Sequence, residues 1–221
     1  VTLCGTSGEF PGLDNSIEYI KKLVDASKGV SPLPIEDKNI TFVSSYTHSV
    51  EFGSRPVLIG ERINPTGKKR FKEALRANDV DYILKEGIAQ QEKGVDILDV
   101  NVGLPEIDEE KMLKTAVCEL QAIIDLPLQI DSSDAVAMET ALRRYNGKAM
   151  INSVNGKKES MEAVFPLVKK YGGLVVALTL DESGIPDNAD DRVKIAGKIL
   201  NEAEKYGINK KDIIFDPLAL T

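Results

Sequence analysis

The 221-residue chain has one histidine, two cysteines and no tryptophan, and only 5% of it is aromatic. The single histidine, His48, lies in a polar stretch, so a Ser-His-Asp set and a histidine-pair metal site are both excluded. Cys4 and Cys118 stand far apart and make no disulfide framework, which predicts a reducing, cytoplasmic setting. There is no Cys-x-x-Cys and no glycine-rich phosphate loop. No apolar run approaches the roughly 20 residues of a membrane helix, and the start carries no basic, apolar and small-residue leader. Positive charge is also short: 28 Lys and Arg against 35 Asp and Glu give a net charge of −7. That balance excludes nucleic acid as the main partner, since phosphate binding leans on a basic surface.

What remains is an ordinary globular composition, 42% hydrophobic and 29% charged, able to bury a real core. Residues 1–54 differ from the rest. Val1-Thr-Leu-Cys-Gly-Thr-Ser7 opens without methionine and reads like the end of something cut upstream. Ile17, Ile20, Leu23 and Val24 have helical spacing behind a candidate N-cap, Ser16. Gly29-Val-Ser-Pro-Leu-Pro34 and Glu36-Asp-Lys-Asn39 have linker composition, and 40–43 fits a short strand. A domain boundary is expected near residue 54.

From Pro56 a strand–helix alternation sets in. Apolar runs at 57–60, 95–101, 126–133, 149–152, 174–180 and 213–217 read as strands. Helices are expected over 79–93, from Asp108 to about Ile124, over 134–145 and 159–171, and from Asp187 or Asn188 to Gly207. Such alternation predicts an α/β fold with a parallel sheet and right-handed crossovers. Polar residues recur at the carboxyl ends of nearly every strand, which a (β/α)8 TIM barrel explains better than an open sheet with one switch point. A barrel needs eight strands and six are visible before Leu220-Thr221, so the expectation is a barrel truncated after the sixth.

The strand-end set is Glu61, Asn64, Asp99, Asn101, Asp131, Asn152 and Asp216. Carboxylates alone suit magnesium. A mixture of Asp and Asn suits a flat heterocycle, such as a pterin, whose edge alternates N–H donors with ring-nitrogen and carbonyl acceptors. Paired in a buried site, such groups reject a ligand with the wrong edge. Each residue also admits a local reading. Asp131 is placed to cap the following helix, with Ser133 and Asp134 as competitors. Asn101 before Val-Gly fits a turn, Asn152-Ser153 an Asx-turn, and Asp216-Pro217 a strand breaker. The recurrence, not any one site, favours a pocket.

Gly60-Glu-Arg-Ile-Asn64, Leu98-Asp-Val-Asn-Val-Gly103, Gln129-Ile-Asp-Ser-Ser133, Ala149-Met-Ile-Asn-Ser153 and Ile214-Phe-Asp-Pro217 resemble the pterin-binding barrel of folate-dependent methyltransferases. The fold implied is of the dihydropteroate synthase-like type, and the resemblance covers about residues 56–221. The likeness is strongest to the methyltetrahydrofolate-binding region of the cobalamin-dependent methionine synthases. It implies transfer of the N5 methyl of 5-methyltetrahydrofolate to cob(I)alamin held on a separate domain. Asp131, Asn152 and Asp216 would be pterin-edge ligands, with Asp131 and Asn152 closest to the chemistry and Glu61, Asn64 and Asn101 lining the same face. No side chain stands out as the acid that protonates N5. Residues 1–8 resemble the end of a homocysteine-binding barrel, implying such a domain upstream. The family's Cys-Cys-Gly-Thr-Thr zinc motif has Leu3 at its first cysteine position, with only Cys4 kept, so the expected metal set here is none. Two alternatives stay open: a methyltransferase acting on a corrinoid iron–sulfur protein, and a non-catalytic folate-binding fragment. Dihydropteroate synthase shares the barrel, but its phosphate-handling Lys and Arg motif is not visible. Lys68, Lys69 and Arg70 are either a contact for a folate glutamate tail or a solvated charge run.

Overall fold

A computed structural model describes residues 13–31, 34 and 38–219. Two compact units are distinguished, Val1–Lys38 and Asn39–Thr221. In the first, a helix runs over Leu13–Ser27 (α1), so Ser16 lies inside the helix and is not its N-cap. The Leu3–Cys4 stretch lies outside the described residues.

The second unit opens ahead of residue 54 with an antiparallel hairpin, Thr41–Ser44 (β1) and Ser49–Phe52 (β2). Six parallel strands follow: Ile59–Ile63 (β3), Ile97–Val100 (β4), Leu128–Asp131 (β5), Met150–Asn155 (β6), Leu174–Leu178 (β7) and Ile213–Asp216 (β8). They pair strictly in chain order. Sequential order has no reversal, so there is no switch point of the doubly wound kind, and the topology is that of a barrel wall. Between the strands run Lys69–Arg76 (α2), Val80–Glu92 (α3), Glu109–Ile123 (α4), Ala135–Leu142 (α5), Lys158–Tyr171 (α6) and Ala189–Lys205 (α7).

The helix signals come from local chemistry. Asp79, Asp108, Asp134 and Asn188 each accept a backbone N–H at a helix start, the ordinary N-cap bond. Gly172 ends α6 in the left-handed conformation that an L side chain resists. α5 stops at Leu142, short of the expected 145, because Arg143 and Tyr145 turn back onto the last carbonyls.

Two-residue alternation along each strand divides the core. Leu98, Val100, Leu128, Ile130, Ile151, Val175 and Ala177 point outward into the layer beneath the helices. Ile97, Met150 and Leu174, with Ile59, Val176 and Ile214, point the other way and pack with Val43, Val50 and Phe52 of the hairpin. The hairpin therefore closes the amino-terminal end of the inner face with apolar side chains. The carboxyl end of that face is left for polar groups.

Backbone bonds fasten this plug. The Ser44 N–H donates to Lys148 O at 2.9 Å, and the Thr41 hydroxyl to Lys211 O at 2.8 Å. Tyr145 ties it to the sheet: its hydroxyl donates to Ser44 O at 2.8 Å and accepts from Leu128 N at 3.1 Å. Burial pushes the Tyr145 pKa up to about 12. Tyr145→Phe strands one donor and one acceptor, so urea unfolding is expected to show a loss of about 1–3 kcal/mol. A loss below about 0.5 kcal/mol would mean that the plug does not need this tie.

Candidate functional site

Moving up the inner face, apolar side chains give way to polar ones within one alternation step. Ile59 is followed by Glu61, Ile97 by Asp99, Met150 by Asn152 and Ile214 by Asp216, each about 6.6 Å further along its strand. Parallel register places Asp99 beside Gln129 and Asp131 beside Asn152. Asn101, just past β4, reaches across to Asp131. The polar groups thus form two levels.

The upper level is built on Asp131. Its Oδ2 accepts from Asn101 Nδ2 at 2.9 Å, and the Asn101 carbonyl in turn accepts the Gly103 N–H at 2.9 Å. Asn101 is therefore both the turn residue and the support for Asp131, so both of its readings hold. Asp131 does not cap α5. Asp134 does, accepting from Val136 N at 2.8 Å. Burial raises the Asp131 pKa; the Asn101 bond opposes the rise, and the charges of Glu61 and Glu109 add to it. A half-buried carboxylate under such pressure gains from an N–H partner.

Asn152 makes no local Asx-turn. That role falls to Asn155, which accepts the Lys157 N–H at 2.9 Å. The Asn152 carboxamide has no hydrogen-bond partner among the described residues. With Asp131, Ser132, Ser133, Ser153, Asn155 and Ser160, it lines a cavity of about 380 Å³ at the carboxyl ends of β5 and β6.

The lower level is Asp99 and Gln129, both buried. Gln129 Nε2 donates to Asp99 Oδ1, and Asp99 Oδ2 has no partner although the residue is only 1% exposed. Burial, followed by the charge of Asp131, drives the Asp99 pKa up to about 7; the Gln129 bond and Lys68 pull the other way, and Glu61 pushes with Asp131. A buried acceptor without a donor is costly unless a proton or a ligand supplies one.

The remaining candidates are more committed. Asn64 is buried and bridges its own loop, donating to Glu61 at 3.1 Å and accepting from Thr66 N at 2.9 Å. Glu61 is exposed at the rim. Asp216 is exposed too, and it accepts the Leu218 N–H at 2.7 Å, so its backbone-terminating reading holds. Register puts Asp216 opposite Leu178, one step beyond the row of Asn152, Val176 and Ile214. Glu109 was not foreseen: it accepts from the Ser132 hydroxyl and fixes the loop after β5. Gln129 was overlooked as a site residue, although its two-residue offset from Asp131 places both on one face. Among the described residues, no group of three or more His, Cys, Asp or Glu is arranged to hold a metal ion, and no helix is long and apolar enough to cross a membrane.

A family profile described as "Pterin binding enzyme" matches residues 60–221, which is β3 through β8 with every helix between them. The chain belongs to the pterin binding enzyme family. Among curated relatives, the methionine synthase of Mycobacterium leprae (strain TN) is 30% identical over 200 residues, covering 86% of this chain and 17% of that protein. That of Mycobacterium tuberculosis (strain ATCC 25618 / H37Rv) is 31% identical over 187 residues, covering 81% and 16%. The chain thus spans about a sixth of the length of these relatives. Among solved structures, a Xanthomonas albilineans dihydropteroate synthase in complex with 7,8-dihydropteroate superposes with a TM-score of 0.62 at 21% identity, covering 80% of this chain and 66% of that one. The Vibrio fischeri ES114 dihydropteroate synthase gives 0.59 at 18%, covering 81% and 68%. At that identity the likeness carries the fold alone, and the fold is the barrel expected from the strand pattern, of the dihydropteroate synthase-like type that the resemblance implies. For a pterin-binding family member, the two polar levels on the inner face are where a pterin-sized ring would be sought.

Proposed function

We propose that this chain binds 5-methyltetrahydrofolate and presents its N5 methyl group to cob(I)alamin in methionine synthesis. The observation that carries the reading is the unsatisfied buried acceptor Asp99 Oδ2, with the half-buried Asp131 carboxylate above it and the unpartnered Asn152 carboxamide beside Asp131. A pterin edge offers amino and amide N–H groups for the carboxylates and a mixed donor–acceptor pattern for the carboxamide. Membership of the pterin binding enzyme family supports the ligand class, and the similarity to methionine synthases favours methyl transfer over the other chemistries of the fold. Asp131, Asn152 and Asp216 are assigned to the pterin edge. Glu61, Asn64 and Asn101 hold the rim.

The corrinoid, carried on a separate domain or protein, supplies the nucleophile that accepts the methyl. This chain's residues orient the pterin so that the C–N5 bond faces outward and keep its polar edge paired while water is excluded. As the C–N5 bond breaks, N5 takes up a proton. Homocysteine is the acceptor implied downstream, bound by a domain upstream of this one; the pterin domain is the unit Asn39–Thr221, its hairpin plug included, and so begins ahead of the boundary expected near residue 54.

Calorimetry of the native full-length protein with 5-methyltetrahydrofolate tests the ligand. Micromolar or tighter binding is expected, with methotrexate-like analogues that alter the pterin edge binding far more weakly; no detectable heat with 5-methyltetrahydrofolate would end the reading.

A further inference from the structure

Asp131 is held from two sides, and both supports meet at one side chain of α4. On one side, Asn101 donates to Asp131 Oδ2 at 2.9 Å and accepts the Gly103 N–H at 2.9 Å. On the other, Ser132 follows Asp131 directly and is only 5% exposed. The Ser132 N–H, which belongs to the peptide group joining it to Asp131, donates to Asn152 O at 3.2 Å. Its hydroxyl accepts the Asp134 N–H at 3.0 Å and donates to Glu109. The Glu109 carboxylate also lies against the Asn101 turn: a Cβ on Gly103 would stand 3.3 Å from Asn101 Oδ1 and 3.6 Å from Glu109 Oε2. Glu110, the next residue, accepts from the Thr140 hydroxyl of α5 at 2.9 Å. Two successive acids in the first turn of α4 therefore grip the loop after β5 and the helix that follows it.

The helix dipole alone favours an acid in a first turn. Two observations set Glu109 apart from that background. It makes no ion pair among the described residues, and its charge adds to the rise that burial, the larger cause, imposes on Asp131. A like charge so placed is costly, and what it supplies in return is a stronger bond, since an ionised acceptor holds a hydroxyl about twice as firmly as a neutral one. Resting on the folate reading above, we propose that Glu109 is a positioning residue for the pterin edge, acting through Ser132 to set the Asp131 carboxylate. With the Asp131–Ser132 peptide tied to Asn152 O and the Ser132 hydroxyl tied to α4, the backbone at Asp131 is fixed on both sides. The carboxylate is then in place before the ligand arrives, and binding does not have to order it. Without Glu109, the Ser132 hydroxyl is left with Asp134 O, 3.4 Å away on the loop itself, and the loop loses this tie to α4.

The test is calorimetry of the native full-length protein with 5-methyltetrahydrofolate, on the unaltered protein and on Glu109→Ala, Glu109→Gln, Ser132→Ala and the pair Glu109→Ala with Ser132→Ala. Glu109→Ala is expected to weaken binding about tenfold, and Glu109→Gln, which keeps an acceptor for Ser132, by less than about threefold. Ser132→Ala should match Glu109→Ala, and the pair should bind no more weakly than either alone, because both remove the same bond. Glu110→Ala breaks the bond to Thr140 without touching Ser132, and its affinity should equal that of the unaltered protein. Four results each overturn the positioning role while leaving the folate reading intact: binding by Glu109→Ala within about twofold, losses that multiply in the pair, equal losses in the Gln and Ala variants, or a comparable loss in Glu110→Ala. If Glu109→Ala does not fold, Ser132→Ala set against Glu110→Ala makes the same comparison. No binding by the unaltered protein overturns the folate reading itself.

Discussion

Asp131→Asn is expected to weaken 5-methyltetrahydrofolate binding by at least about 100-fold, or roughly 3 kcal/mol. The substitution keeps the shape of the side chain, and the new carboxamide oxygen can still accept from Asn101, whose Nδ2 lies 2.9 Å from Asp131 in the native protein. What changes is the outward valence. An acceptor with a full negative charge becomes an N–H donor facing the ligand's own N–H groups, so two charge-assisted bonds are lost and a donor–donor clash is gained. Stability should move little, because Asp134 and not Asp131 caps α5. Binding within about threefold of the unaltered protein, with normal folding, would remove Asp131 from the pterin edge.

Asp99→Asn is expected to act in the opposite direction on stability. The Asp99 pKa is about 7 in the folded chain against an ordinary 3.8, so the folded state holds this proton more tightly than the unfolded one. Protonation therefore stabilises the fold fully below pH 3.8, and that contribution shrinks as pH rises and is lost through pH 7. Across that window the cost of ionising the buried group amounts to about 4 kcal/mol, as an order of magnitude. A carboxamide cannot ionise, and it can still accept from Gln129. Urea unfolding at pH 5 and pH 8 should show the variant gaining roughly 2–4 kcal/mol on the unaltered protein at the higher pH, with a much smaller gain at the lower. A gain that does not depend on pH would contradict the burial argument. The same substitution should weaken the ligand, since the orphaned oxygen is the feature the ligand is proposed to satisfy. Greater stability with poorer binding is the usual signature of a site held in an unfavourable state for function.

The barrel wall was legible because its strands are apolar runs that stop at polar residues, and α3 to α7 each bury an apolar stripe. What escaped were elements with weak patterns. α2 has only Phe71, Ala74 and Leu75 as buried contacts, lacks a side-chain cap, and is otherwise charged. β2 is four residues long, and Val50 is its one buried side chain. At the site, recurrence of polar strand ends located the pocket, but it could not rank its members. Asn152 and Asn155 look alike in sequence, yet one is turned into the cavity without a partner and the other is consumed in a turn. Asp99 and Gln129 pair only because parallel register sets them side by side, a relation between two strands that neither strand reveals alone. Asp216 shows the converse. Its position in the series fits the pocket, while its carboxylate is engaged by its own backbone.

Methyl transfer itself is the most direct measurement. Native full-length protein, 5-methyltetrahydrofolate and reduced cob(I)alamin, mixed without oxygen, should consume the cob(I)alamin absorbance and release one tetrahydrofolate for each methyl moved. The Asp131→Asn protein should do so at no more than about a hundredth of the rate at subsaturating folate. Tight binding of 5-methyltetrahydrofolate without any loss of its methyl group, or transfer that is indifferent to Asp131, would contradict the account.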